Sequence, residues 1–183
     1  MADDKNLKNV FNALDELLGS ADIKDVSAEG SGFSQLKDGY YLCEVKKAEL
    51  KFSKSSKLPM AAFQLKVVED GVTFNFDSKA NSAPIVLKGT KGRMIFKYFV
   101  FKDELSVQRF TSDMLKFEGD TPGEPLLTKD YFTNSELIED ALEVLEGMRI
   151  YVHNDVKEND DGTTSAWANF MSWKNAAKVG LKV

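Results

Sequence analysis

The sequence predicts an all-β barrel with added helices. Five segments alternate apolar and polar residues with the period of a β-strand. The first of them is long and changes phase in its middle, as a strand does at a β-bulge that bends it into a barrel. A helical insertion separates the third strand from a final hairpin. This order predicts the OB-fold, a five-stranded, partly open Greek-key barrel, ahead of another small barrel or an α+β sheet with helices on one face.

Residues 1–19 are predicted to form an amphipathic helix, and residues 20–38 a linker. Gly19 is suited to end the helix, and the stretch after it is small, polar and acidic. A tethered helix of this kind suits docking on its own domain, on another protomer or on a partner protein. The apolar residues at the spacing of one helical face are Leu7, Val10, Phe11, Leu14, Leu17 and Leu18.

The OB-fold domain is predicted to span residues 39–174. Its first strand places Tyr41, Cys43 and Val45 on one face. A phase slip at Lys46-Lys47 predicts the bulge, after which the apolar positions continue in the other phase. These later positions are Ala48, Leu50 and Phe52. Residues 54–57 form the turn that follows, and Pro59 ends it.

The second and third strands are predicted at residues 60–68 and 93–101. The second strand has one apolar face, formed by Ala61, Phe63, Leu65 and Val67. Its opposite face is therefore the one available to a ligand. The third strand is apolar on both faces, with Lys97 among the apolar residues. Residues 71–91 are predicted to be irregular, with an extra short strand at residues 72–76.

The helical insertion is predicted at residues 103–147. It contains helices at residues 106–117 and 134–146 and a proline-containing loop between them. Strands four and five follow at residues 148–157 and 164–173, joined by an acidic turn. Residues 175–183 form a C-terminal tail.

Positive charge is concentrated in one part of an acidic chain. The 183 residues carry a formal net charge of −5, yet residues 39–102 contain 12 Lys and Arg against 5 Asp and Glu. The insertion has the opposite balance, −9. Aromatic rings alternating with cations on strands suit unpaired bases, which stack, and phosphates, which pair with lysine or arginine. The alternative is that these lysines are ordinary solvated positions.

Other chemistries find no sequence support. His153 and Cys43 are the sole histidine and cysteine, so a zinc site of His and Cys ligands cannot be assembled. The glycine-rich segment at residues 88–93 lacks the spacing of a nucleotide-binding P-loop, and it is interpreted as a loop that could touch phosphate. We find no catalytic triad, and we expect a protein without enzymatic activity, metal or cofactor. Cys43 is expected to be a buried thiol in a reducing, cytoplasmic compartment.

The residue pattern predicts two kinds of contact with a single strand. Stacking on bases is assigned to Phe96, Tyr98 and Trp167, which lie on the third and fifth predicted strands. Trp167 shares its face of the strand with two polar residues, Ser165 and Asn169. Contacts with phosphate are assigned to the basic residues of the first strand, the turn after it and the third strand. These are Lys46, Lys51, Lys54, Lys57, Arg93 and Lys97.

Several of these segments together resemble a known family. They are GYYLCEVKKAELK from Gly39, SSKLPM from Ser55, GRMIF from Gly92 and GMRIYV from Gly147. With the Asp161-Gly162-Thr163 turn and the strand after it, they resemble bacteriophage single-stranded DNA-binding proteins of the OB-fold type, over residues 33–174. Many such proteins end in an acidic tail, whereas this sequence ends in Lys182-Val183, and its insertion is unusually long.

The resemblance implies a protein that coats exposed DNA strands in phage replication or recombination. It implies partners among replication or recombination proteins, bound through the acidic insertion or the N-terminal helix. It also implies a cytoplasmic location in an infected host cell, no membrane partner and a possible homo-oligomer. The alternative is a protein-interaction module of a phage assembly or inhibitor, with no binding of nucleic acid.

Overall fold

A computed structural model describes residues 35–75, 83–119 and 123–182. The N-terminal helix and residues 20–34 of the linker fall outside these ranges. Within them the chain forms seven strands, three α-helices and a 3₁₀ helix at Lys129–Phe132. The strands are β1 Gly39–Phe52, β2 Pro59–Val67, β3 Gly71–Thr73, β4 Ile85–Leu87, β5 Met94–Val100, β6 Arg149–Glu158 and β7 Thr164–Met171. The α-helices are α1 Glu104–Met114, α2 Ser135–Leu145 and α3 Trp173–Lys178.

The strands form one antiparallel sheet organised around β1. Along the sheet the order is β4-β3-β1-β2-β5, while β6 pairs with β1 and β7 pairs with β6. The prediction of a β-rich fold with added helices is therefore confirmed. Among the described residues β5 and β7 share no backbone ladder, so the sheet curves without closing.

Two short strands change the predicted count from five to seven. β3 lies close to the extra strand predicted at residues 72–76, whereas β4 was not predicted. Each has three residues, too few for an alternating pattern to be recognised in sequence. β3 joins the sheet by pairing Val72 with Tyr40, and β4 pairs with β3.

The predicted bulge in β1 is confirmed, and α2 ends against it. The register of β1 against β2 shifts between Val45 and Lys47. The amide of Ala48, just after the shift, donates a hydrogen bond to Glu146 Oε1 at 3.0 Å. Gly147 N donates to Val45 O at 2.8 Å, and Val45 N donates to Met148 O at 2.9 Å. The bulge thus fixes the point at which the insertion returns to the sheet as β6.

The core is aromatic and lies between the curved sheet and the two helices of the insertion. Phe63, Phe110, Phe117 and Phe170 are essentially inaccessible to solvent. Phe170 contacts Phe63 and Phe117 edge-on, with ring centroids 5.6 and 5.3 Å apart, an arrangement that aromatic pairs favour. Both helices are therefore attached to the inner side of the sheet.

Side-chain caps set the starts of these helices. Asp103 accepts a hydrogen bond from Ser106 N at 2.7 Å and forms a capping box with Ser106. Asn134 Oδ1 accepts one from Leu137 N at 2.9 Å. Because Asp103 is the cap, α1 begins two residues before the predicted position, residue 106. α2 matches its predicted span within one residue at each end.

Both ends of the described chain pack more tightly than the sequence suggests. Residues 36–38 were assigned to the linker, yet Leu36 is buried and its carbonyl accepts a hydrogen bond from Asn154 Nδ2 at 2.8 Å. The tail assigned to residues 175–183 contains most of α3. Its Leu181 is buried, and Lys182 O accepts a hydrogen bond from Tyr151 at 2.8 Å. The acceptors in these hydrogen bonds are backbone carbonyls, which every residue has, so the sequence pattern does not predict the contacts.

We expect Glu146→Ala to lower the free energy of unfolding by about 1–3 kcal/mol, because the largely buried amide of Ala48 loses its acceptor. Glu146→Gln keeps an acceptor oxygen and should retain most of the stability. Glu143→Ala, an exposed position on the same helix, is the matched control. Chemical denaturation measures all three, and equal stability of Glu146→Ala and Glu143→Ala would contradict this role.

Candidate nucleic-acid interface

Strand register defines one outward-facing surface on β1, β2 and β5. Directly opposed residues of antiparallel strands point to the same side of a sheet. Three rows run across the outer side. They are Lys47–Gln64–Phe96, Glu49–Ala62–Tyr98 and Lys51–Met60–Val100. A fourth row, Glu44–Lys66–Met94, lies at the far end of β2. We call these four rows the basic-aromatic face.

The aromatic residues of this face are open to solvent. Phe96 and Tyr98 are each 54% exposed. The next positions on β5, Ile95 and Phe99, belong to the core or pack against it. The apolar face of β2 is buried as predicted, with Phe63 and Leu65 inaccessible. β5 therefore presents two rings outward although the strand is apolar on both sides.

Lysines surround these rings, and several of them are ion-paired. Glu49 accepts hydrogen bonds from Lys47 and, at 2.9 Å, from Lys51. These bonds lower the pKa of the Glu49 carboxyl. Lys46 in the bulge pairs with Glu44 at 2.7 Å, and this bond lowers the pKa of Glu44. The lysines are exposed and the two carboxylates are partly exposed, so the pairs are weak and an incoming phosphate can compete for the lysines.

The Lys51 amino group also lies 6.0 Å from the ring centroid of Tyr98. This is the outer limit of a cation–π contact. It joins a cation on β1 to a ring on β5, across β2. A phosphate bound by Lys51 would therefore lie beside a ring on which a base can stack.

A compact turn at residues 53–58 presents Lys54 and Lys57 at the end of this face. Ser53 N donates to Leu58 O at 2.8 Å, and Lys57 N donates to Ser53 O at 3.0 Å. Both lysines are exposed. Lys57 has φ of 59°, in the left-handed region that glycine adopts without strain. A charged side chain thus occupies a backbone position that favours glycine.

The structure places Lys97 apart from the other predicted phosphate contacts. It lies in the inner row with Ala48 and Phe63, and its side chain is 14% exposed. Its amino group donates to Ala168 O at 2.5 Å and lies 3.4 Å from Asp113 Oδ2. Burial lowers its pKa despite the attraction of Asp113. Because this ammonium group is already bound within the fold, we leave it out of the interface.

Lys97 instead joins β5 to β7. Its bond to Ala168 O spans the two strands where they share no backbone ladder. The Lys97 ammonium also lies 4.6 and 5.0 Å from the ring centroids of Phe99 and Phe170, one on each strand. One buried cation therefore holds the two strands side by side.

This link brings Trp167 to the edge of the same outer surface. Ala168 and Phe170 face the core, as the Lys97 side chain does, so the residues next to them on each strand point to the outer side. On β5 these neighbours are Phe96 and Tyr98, and on β7 they are Trp167 and Asn169. Trp167 is 49% exposed, and the amino group of Lys157 lies 5.6 Å from its ring centroid. Trp167 is thus a surface ring beside a cation.

Arg93 and the glycine-rich turn before it occupy the other end of β5. Arg93 is half-buried, and its carbonyl accepts a hydrogen bond from Val67 N at 2.9 Å. In the turn, the amides of Thr90 and Lys91 both donate to Asp70 Oδ1 at 2.9 Å. These hydrogen bonds, the one from Lys91 first, lower the pKa of Asp70. The protein's own carboxylate thus binds the amides that a phosphate would need.

Sequence reasoning missed several members of the face. The strand period places Lys66 beside Gln64 and Met94 beside Phe96 on this face, but the sequence analysis assigned neither residue a contact. Lys47 can be placed on this face only when the register shift at the bulge is taken into account. Phe52 lies on the same side of β1 as Ala48 and Leu50, as predicted, and at the last position of the strand it is 70% exposed.

The structure also bears on the cysteine, on metal sites and on membrane-spanning helices. The Cys43 thiol is fully buried as predicted, and burial raises its pKa to about 12. Across the described ranges, no group of three or more His, Cys, Asp or Glu residues is arranged to hold a metal ion. None of the helices in these ranges is long and apolar enough to cross a membrane.

Comparison of the sequence with known protein families and with curated proteins finds no match.

We expect Lys97→Met to lower the free energy of unfolding by about 1–3 kcal/mol, because Ala168 O loses its donor in a mostly buried place. In nucleic-acid titrations, the slope of log affinity against log salt should stay unchanged for Lys97→Met. Loss of a phosphate contact would instead reduce that slope by about 0.7. Lys102→Met, an exposed lysine just after β5, is the control for stability. A reduced slope would return Lys97 to the interface.

Proposed function

We propose that this protein binds single-stranded DNA without catalysis and coats exposed strands in phage DNA replication or recombination. The observation that carries the proposal is the basic-aromatic face. It combines two half-exposed rings on β5 with lysines on the neighbouring strands. Unpaired bases can stack on the rings while the lysines pair with the phosphates between them.

The strand pairing supports an OB-type barrel as the framework. Without β3 and β4, the pairing is β5-β2-β1-β6-β7. The insertion lies between β5 and β6, which are the third and fourth of these five strands in chain order. OB-folds bind oligonucleotides on the face of strands two and three and on two flanking loops. Here strands two and three are β2 and β5, and the first loop is the turn at residues 53–58. The basic-aromatic face includes the outer side of these two strands, and both turn lysines belong to this first loop.

The distribution of acidic residues also supports the basic-aromatic face as the surface that binds DNA. The second flanking loop, at residues 159–163, contains Asp160 and Asp161, which would repel phosphate. α2 exposes Glu136, Glu139 and Glu143. A strand should therefore follow β1, β2 and β5 and avoid the insertion, which leaves the insertion free for a replication or recombination partner.

The other parts of the proposal rest on the resemblance to phage proteins. They are cytoplasmic action in an infected cell, partners bound by the insertion or the N-terminal helix, and assembly into homo-oligomers. A protein-interaction module without nucleic-acid binding remains the rival function, and the titrations below distinguish the two.

We expect the triple variant Lys51→Glu, Lys54→Glu, Lys57→Glu to weaken binding to single strands of every sequence and to flatten the salt dependence. Each lost phosphate contact should reduce the slope of log affinity against log salt by about 0.7. Thermal stability should change little, because exposed charges contribute little to folding. Fluorescence anisotropy with labelled oligothymidylate at several salt concentrations measures the affinity.

The matched control is Lys174→Glu, Lys178→Glu, Lys182→Glu, which makes the same change in net charge near the C-terminus. It should bind nearly as tightly as the unmodified protein, because long-range repulsion is screened beyond about 8–10 Å in physiological salt. Equal weakening in both triple variants would attribute binding to net charge alone. If the unmodified protein does not bind single-stranded DNA at micromolar concentrations of the oligonucleotide, the result would favour the interaction module.

We expect Trp167→Ala to cost roughly 1–3 kcal/mol of single-strand affinity, the value of one base–aromatic stack. The melting temperature should fall much less than for a core aromatic, because the ring is half exposed. Duplex of the same length should bind weakly to both proteins, since its bases hide their faces. A destabilised variant with undiminished affinity per folded molecule would assign Trp167 a purely structural role.

A further inference from the structure

An apolar groove of about 470 Å³ lies at the end of β1, where the strand passes the start of α2. Its apolar walls come from β1, β2, the end of β5, the 3₁₀ helix and α2. They are Leu50, Phe52, Pro59, Phe101, Phe132 and Ile138. Lys51, a member of the basic-aromatic face, also borders it, so the groove continues that face around the end of the strand.

Phe52 is the most conspicuous side chain at this groove. Its ring is 70% exposed although it lies on a strand opposite Pro59. A ring left this open at the rim of an apolar depression offers one bare π-surface to a planar ligand. Phe101 and Phe132, both half-buried, line other parts of the same groove.

We propose that this groove is a subsite for one unpaired nucleobase of the strand bound along the basic-aromatic face. The inference rests on the proposed function. The base stacks on Phe52, and the phosphate attached to its nucleotide pairs with Lys51. Base–aromatic stacking accepts any base, because every base has a π-face.

The charges around the groove fix the orientation of the nucleotide. Lys51 borders one side, and Glu139 of α2 borders the groove as well. A phosphate is attracted to the first and repelled by the second, whereas a neutral base is tolerated beside both. Thr133, Asn134 and Ser135 also border the groove and supply polar side chains that can bond to the edge of a base. The base therefore enters the groove while its phosphate stays on the β1 side.

The first test is Phe52→Ala in the full chain, with binding of oligothymidylate followed by fluorescence anisotropy. We expect the affinity to fall about fivefold or more, as for loss of one stack, with an unchanged salt slope and melting temperature. Phe52→Trp should restore the affinity, whereas Phe52→Leu, which is apolar without a π-face, should not. Leu105→Ala, at an exposed apolar position on α1, should bind as the unmodified protein does.

The second test locates the base directly. Oligonucleotides carrying a single 5-iodouracil are irradiated in the complex, and the crosslinked peptide is identified by mass spectrometry. A crosslink to Phe52, absent in Phe52→Leu, supports the subsite. Crosslinks confined to β5 and β7 overturn it.

The outcomes separate this inference from the function on which it rests. Full affinity in Phe52→Ala, with weakened binding in the triple lysine variant, overturns the subsite and leaves single-strand binding intact. Undetectable binding by the unmodified protein removes both. If Phe52→Ala abolishes self-association in sedimentation while strand affinity is unchanged, the groove binds a second copy of the chain, and the subsite is overturned.

Discussion

The bulged strand β1 is the constraint on which the rest of the structure depends. It has 14 residues and pairs with β2, β3 and β6, and each of the other three strands pairs with one of these. The bulge at Lys46 bends the strand and frees the amide of Ala48, which then donates a hydrogen bond to the Glu146 carboxylate. That hydrogen bond fixes the end of α2 and hence the start of β6. Curvature of the sheet and attachment of the insertion thus share one local cause.

A single buried lysine contributes the other long-range link. Lys97 holds β5 beside β7, where the two strands share no backbone ladder. A buried ammonium is costly unless it is paired, and here Asp113 and the carbonyl of Ala168 satisfy it. Through this contact Trp167 comes to lie on the same outer surface as Phe96. A hydrogen bond on the inner side of the sheet therefore positions the side chains of the proposed interface on its outer side.

The sequence predicted part of the candidate interface. It predicted the features that depend on neighbouring residues of one strand, and it did not predict those that depend on contacts between elements. Alternation along β5 correctly separated Phe96 and Tyr98 from Ile95 and Phe99, because a strand obeys a period of two whatever it packs against. The same period placed Lys97 inside, but a lysine among apolar residues looks like a surface cation until its partners on other elements are known. The period also placed Phe52 on the face of Ala48 and Leu50, but it did not predict the exposure of this ring, which depends on residues far away in the sequence.

The sequence by itself determined the five longer strands along the chain, the bulge, the span of α2 and the segregation of charge, because each follows from periodicity, capping or counting within a short window. The tertiary structure alone decided which cations are exposed, which rings lie side by side, and that residues 36–38 and 181–182 belong to the folded body. Those outcomes depend on contacts between residues far apart in the chain, such as Asn154 with Leu36 and Lys97 with Ala168. No local pattern encodes such contacts, because a side chain's partner is set by how the whole sheet curves.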